Sequence, residues 1–160
     1  MVEMALLLPL MIILLFGIID MGWYVYGYAT IFQSVRNGAE VAAQLPPFES
    51  AIAARSDSDP CYKTIITEIQ EDAVMFPNIA DNVQVTYPSS SSGTSAGRAL
   101  GNLIQVQVTY DLEPLTPLFQ FVPLTPDGKF HIAAKTARSI ENLGNTLITE
   151  DYPRGIACKE

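Results

Sequence analysis

The chain has 160 residues, about one domain's worth. Apolar residues make up 49% of it and mean hydropathy is +0.22, while charged residues are only 16%, below the roughly 25% of ordinary soluble domains. Seventeen acidic against nine basic residues leave a net charge of −8, which repels phosphate backbones and anionic lipid surfaces and excludes nucleic acid from the expected partners.

The apolar excess is concentrated at the N-terminus. Ala5 to Ile19 is interrupted only by Pro9 and Gly17, and Val2 to Met21 supplies the ~20 residues a membrane-spanning helix needs. Trp23, Tyr24, Tyr26 and Tyr28 follow at once, an aromatic cluster of the kind a membrane–water interface favours. That position sets Asp20 near one face of the bilayer, away from the midplane, where a carboxylate costs about 3 kcal/mol. Helical periodicity then continues with a polar face. Ile31, Val35, Ala39 and Ala42 recur at helical spacing with Gln33, Arg36, Asn37 and Glu40 between them, until Pro46-Pro47 stops the helix.

The expectation is one helix of about 45 residues, roughly 65 Å long, half in the bilayer and half projecting from it. Ser34, Gly38 and Ala42 recur every fourth residue. They form a small-residue seam that lets another helix approach closely, either from another chain or from this protein's own head. Pro9 inside the span frees the Ala5 carbonyl and kinks the rod or leaves that carbonyl to a partner. A cleaved signal peptide fits less well, because no basic residue precedes the apolar run and no small-x-small site follows it cleanly. Glu3, at the other end of the span, is either an acid favourably placed at a helix N-terminus or a headgroup-level residue.

Residues 1–45 are therefore expected to be a transmembrane and extended helical rod, and residues 46–160 an extracytoplasmic α+β head. The head's ~115 residues suffice for one small core. Tyr62 to Met75 places Ile65, Ile66, Ile69, Ala73 and Phe76 near one face of an amphipathic helix that ends at Pro77. Its acids Glu68, Glu71 and Asp72 read as a solvated face and not as a metal cluster. Asn82 to Tyr87 and Leu103 to Leu112 alternate as strands do, separated by the serine-rich, flexible stretch Pro88 to Gly97. The proline-spaced run Pro114 to Pro126 cannot be a regular helix. It is either an irregular connection capping the core or an exposed apolar patch for a neighbouring subunit or the membrane surface. Asp127-Gly128 marks a turn, and Phe130 to Ile140 is a third strand. The sum is a three-stranded, mostly antiparallel sheet with one helix across it.

The chain has two cysteines, Cys61 and Cys158. A bridge between them would close a loop of about 100 residues, worth about 4–5 kcal/mol in the chain-entropy model; two free thiols are the alternative. Two distant cysteines and the single His131 are too few ligands for a metal site. No nucleophile elbow, phosphate-binding loop, zinc-protease or dinucleotide motif is present, so neither catalysis nor a cofactor is expected. His131 is expected to face solvent or a partner.

The run VEMALLLPL…LFGIIDMG…RNGAEVAA closely resembles the N-terminal region of TadE-like proteins, pseudopilins or minor pilins of the tight-adherence (Flp-type) branch of type IV pilus systems. Glu3, Pro9, Gly17, Asp20, Gly22, Arg36, Gly38, Ala39, Ala42 and Ala43 stand on the pattern of that family, and Glu40 departs from the basic residue often found at its position. VQVTYDLEPLTPL and FHIAAKTARSIEN resemble the family's head strands more weakly.

The resemblance implies a pilin-like subunit that moves from the bilayer into a helical bundle. Glu3 would neutralise a neighbour's N-terminal amine and so fix register, and prepilin peptidase would be a partner. Family precursors carry a short basic leader with a glycine before the cleavage point, and their glutamate lies five residues into the mature protein. Here the glutamate is third, so residues precede this start, or the chain is the product of processing, or it is not processed. Asp20 is either a second polar register group or an interfacial carboxylate facing water.

The expected partners are the lipid bilayer and other pilin-like subunits reached by helix packing. The expected location is the bacterial cytoplasmic membrane, single-pass with the head outside, or a surface pilus. The alternatives are an accessory subunit of a large membrane complex and a secreted protein whose mature chain starts beyond Ala29.

Overall fold

In the computed structural model, the described backbone comprises residues 2–55, 59–88, 97–117, 126–143 and 158, with side chains described from residue 7 onward. The serine-rich stretch 89–96, residues 118–125 of the proline-spaced run and most of the C-terminal tail lie outside the described residues.

The order of elements is α1 (Val2–Gln44), α2 (Glu49–Ala54), α3 (Pro60–Asp72), a 3₁₀ turn (Ile79–Asn82), β1 (Val83–Thr86), β2 (Leu103–Leu112) and β3 (Phe130–Ser139). This is the expected α+β arrangement with a three-stranded antiparallel open sheet. The chain divides into two compact units, one of Met1–Thr30 with Tyr110–Ile132 and one of Ile31–Thr109 with Ala133–Glu160. The division cuts α1 and both long strands.

α1 runs unbroken through Pro9. Pro46 and Pro47 end it, because neither offers an amide to continue the ladder. α2 was not anticipated: six residues are too short for a periodic signal. It closes on Arg55, whose left-handed backbone (φ 46°) lets its amide reach the Ala51 and Ile52 carbonyls. α3 starts at a strong cap. Asp59 is buried and accepts from the amides of Cys61 and Tyr62, and Pro60 occupies the first helical position, where its missing N–H costs nothing. The helix ends at Asp72, short of the expected Met75. Phe76 turns into the core and its amide bonds the Ala73 carbonyl three residues back, which tightens the chain out of α-geometry.

The sheet order is β1-β2-β3, and β1 pairs antiparallel with β2 through Val83↔Val108 and Val85↔Val106. Ile104, Val106 and Val108 are buried on one face, as the period-two alternation requires. β2 and β3 also run antiparallel. Gly101 and Asn102 exchange backbone bonds with Ile140 at one end, and Asp111 stands beside His131 at the other. Gly128 has the positive φ (65°) expected at the Asp127-Gly128 turn.

In the second unit the core gathers one face of α1 (Ile31, Val35, Ala39), Ile65 and Ile69 of α3, and the inner face of the sheet. Arg98 fastens its rim. Its guanidinium lies 4.2 Å from the centre of the Phe48 ring and donates to the carbonyls of Pro46 (2.7 Å) and Leu143 (3.1 Å).

Candidate membrane and assembly site

α1 has two surface regimes. From Leu7 to Leu15, and again at Ile18 and Ile19, the side chains are exposed around the whole helix, with Leu8 61% and Ile18 65% accessible. A helix apolar on every side suits a hydrocarbon surrounding and not water. Among the described residues, Leu7–Gln44 is the helix long and apolar enough to hold a membrane span. Further on, burial becomes one-sided: Ile31, Ser34, Val35, Gly38, Ala39, Ala42 and Ala43 are buried, and Phe32, Gln33, Arg36 and Glu40 are exposed. That spacing of three and four is the stripe of a helix packed on a globular core.

Asp20 does not face water as an interfacial carboxylate would. It is 1% exposed. Its Oδ1 accepts from the backbone amides of Leu115 (3.0 Å) and Thr116 (2.9 Å), and the Thr116 hydroxyl donates to its Oδ2. A buried carboxylate is costly without partners, and three charge-assisted hydrogen bonds offset that cost. The group is thus consumed inside the chain, holding the start of the proline-spaced run.

The aromatic collar is likewise partly internal. The Trp23 indole donates to the Glu113 carbonyl at 3.2 Å, and the Tyr24 ring lies 5.2 Å from that of Phe130. Trp23 and Tyr26 stack one helical turn apart at 5.7 Å, and Tyr26 and Tyr28 are exposed. Tyr26 and Tyr28 thus keep the outward position an interfacial aromatic requires.

Ser34, Gly38 and Ala42 are all buried within the chain itself. Ser34 is fully buried and its hydroxyl donates to the Ile31 carbonyl at 2.9 Å. The Ile69 side chain lies over Gly38, so closely that a Cβ there would meet its Cγ1 at 2.5 Å. The close approach that small residues permit is used between α1 and α3. Pro9 is exposed on the apolar half, and the side chain of Glu3 lies outside the described residues.

Cys61 and Cys158 form a disulfide, with Cα atoms 5.1 Å apart. Asp59 fixes Cys61 at the start of α3, and the bridge packs against Leu45 and Val41 at the end of α1. It therefore ties the C-terminal tail to the rod–head junction.

Among the described residues, no group of His, Cys, Asp and Glu is placed to hold a metal ion. His131 sits exposed between two carboxylates, Asp111 at 2.6 Å and Asp127 at 3.7 Å. Lys129 is held above its ordinary pKa by its hydrogen bond to the Glu113 carboxylate at 3.1 Å and by the charge of that group. On α3, partial burial and then the neighbouring charges of Asp72 and Glu71 push the pKa of Glu68 upward.

Sequence reasoning identified Asp20 but missed its partner, and it missed Arg98 altogether. The Asp20 partners lie 95 and 96 residues away and leave no local pattern. The only hint was Thr116 between two prolines.

Residues 1–40 match the family model described as TadE-like protein. No curated protein and no solved structure matches the chain. The matched segment contains the whole exposed apolar part of α1 together with Asp20 and the aromatic collar. The match and the exposed apolar helix fit a membrane-anchored, pilus-related subunit.

Proposed function

We propose that this protein is a pseudopilin-like structural subunit of a tight-adherence (type IV-related) pilus or of its assembly base. It is anchored by α1 as a single span, carries its head on the extracytoplasmic side, and joins neighbouring subunits laterally through the apolar half of α1. The observation that carries this reading is that α1 is apolar on all sides from residue 7 to 19 and exposed at residues 7–15, 18 and 19, inside the segment that matches the TadE-like model. Such a surface serves first as a lipid-facing anchor and then as a face for packing against like helices. Glu3 is the acid assigned to register, and Pro9 marks the helix turn whose Ala5 carbonyl is left for a partner. The Cys61–Cys158 bridge fits an oxidising compartment for the head. Prepilin peptidase is the processing partner implied by the resemblance.

The test is to prepare native membranes and sheared surface material from the producing bacterium and analyse the protein in each by intact mass and N-terminal sequencing. The expected result is an integral membrane protein whose head is digested by protease added from the outside, with a portion recovered among sheared fibres or co-purifying with the pilus assembly machinery. A head protected as a cytoplasmic domain would overturn the proposal. Recovery solely as an intact subunit of an unrelated, detergent-stable membrane complex would replace it with the accessory role.

A further inference from the structure

Glu113 to Pro117, in the compact unit formed with the apolar helix, runs alongside α1 in a definite direction. The Glu113 carbonyl is bonded to Trp23, and two residues later the Leu115 and Thr116 amides are bonded to Asp20. The segment therefore travels from the aromatic collar toward the apolar half of the helix. The unbroken apolar stretch of α1 ends at Ile19 and the aromatic collar begins at Trp23, which sets the edge of the bilayer around Asp20–Met21. At 1.5 Å rise per residue, a backbone amide 3.0 Å from the Asp20 carboxylate lies within one helical turn of that boundary.

The chemistry of the segment suits that depth. Pro114 and Pro117 have no amide hydrogen, and both the Leu115 and Thr116 amides are spent on Asp20, as is the Thr116 hydroxyl. From 114 to 117 every backbone donor is absent or satisfied, which lowers the cost of placing this backbone where water is scarce. Leu115 meanwhile carries an apolar side chain that is 64% exposed, and Met21, next to Asp20 on α1, is 69% exposed.

We propose that Pro114–Pro117 is a second membrane contact, in which Leu115 inserts among the lipids at the edge of the bilayer and Asp20 holds it there. This rests on the reading of α1 as a membrane anchor. Asp20 is then a positioning residue. Its role is to hold the arm at the depth of the membrane edge, and the arm in turn supplies the donors that allow a carboxylate at that depth.

The test uses the full-length protein in lipid nanodiscs, with the native disulfide intact and a nitroxide attached at Leu115→Cys or, separately, at Leu14→Cys in the middle of the apolar half. Collision with oxygen, which concentrates in lipid, is compared with collision with a water-soluble nickel complex. The Leu115 label is expected to favour oxygen several-fold relative to free label in buffer, though less than the Leu14 label. Asp20→Ala in the Leu115→Cys background should return it toward the aqueous value, and Asp20→Asn, which keeps an acceptor, should largely preserve it.

If the Leu14 label is in lipid and the Leu115 label is as nickel-accessible as free label, the proposal fails while the anchor stands. If the Leu14 label is itself nickel-accessible, the anchor fails and the proposal with it. Low accessibility of the Leu115 label to both reagents would mean that protein covers the site and would overturn lipid as its partner.

Discussion

Replacing Gly38 by alanine puts a methyl group where Ile69 already lies. A Cβ at residue 38 would stand 2.5 Å from Ile69 Cγ1 and 2.7 Å from its Cδ1, well inside the 3.5–4.0 Å of a favourable carbon–carbon contact. Ile69 is fully buried, so it must shift within the packed core to make room. Overpacking of this kind costs about 1–3 kcal/mol, and the better helix propensity of alanine returns about 1 kcal/mol, so the net loss is about 0–2 kcal/mol.

The diagnostic result is a change of sign. Ile69→Ala alone should cost about 2–5 kcal/mol, because it empties a buried site. In that background the same Gly38→Ala change meets no obstruction and should stabilise by about 1 kcal/mol, giving a coupling between the two positions of about 1–3 kcal/mol. Urea unfolding of the full chain in detergent, followed by near-UV circular dichroism of the buried Tyr62, measures all four corners of the cycle. If Gly38→Ala raises the midpoint equally in both backgrounds, α1 does not pack on α3 at Gly38 and the seam is free for another chain.

Reducing the Cys61–Cys158 bridge, or replacing both cysteines by serine, releases a loop with a sequence separation of 97. The chain-entropy model puts the loss at about 4.7 kcal/mol, to be read from the urea midpoint with and without reductant. Asp20→Ala should remove the acceptor for the Leu115 and Thr116 amides, so their hydrogen-exchange protection should collapse, whereas Asp20→Asn should retain most of it. Tyr87 donates its hydroxyl to the Pro47 carbonyl, and burial raises its pKa above the ordinary value near 10. The folded state therefore holds that proton more tightly than the unfolded state does. Its contribution is intact below pH ~10 and is lost as pH rises through the higher folded value. Tyr87→Phe should cost about 0.5–1.5 kcal/mol at pH 7 and flatten the alkaline decline in stability measured by urea titration.

The long elements were legible because their signals are local and redundant. β2 covers Leu103–Leu112, the stretch that Ile104, Val106 and Val108 mark by their alternation, and α1 stops where two prolines make continuation impossible. The Cys61–Cys158 pairing was legible only as an option, since two cysteines permit one bridge or none. α2 was invisible because six residues cannot display a period. Arg98 was invisible because its partners are backbone carbonyls, which every residue possesses and no sequence advertises. The seam of Ser34, Gly38 and Ala42 was seen, but its partner was not. Small residues at every fourth position look the same whether the helix they admit is α3 or belongs to another subunit.

That placement bears on how lateral assembly would work. With Ile69 of α3 over Gly38 and Asp20 bonded to Leu115 and Thr116, the apolar surface that α1 still offers to neighbours is the half that lipid would also cover. Exchanging lipid for a like helix releases little hydrophobic free energy, because lipid tails are as apolar as leucine. In the proposed assembly, register must therefore come from a polar group within or beside that half. Of the two acids at the ends of the span, Asp20 already has its donors within its own chain, which leaves Glu3 as the acid for that role. A neighbour's amine paired with Glu3 would specify docking more than it strengthens it, since much of the attraction offsets the cost of taking both charges out of water. Glu3→Gln should thus leave membrane insertion and the urea midpoint of the head unchanged while abolishing recovery of the protein in sheared fibres. Asp20→Asn should leave that recovery intact.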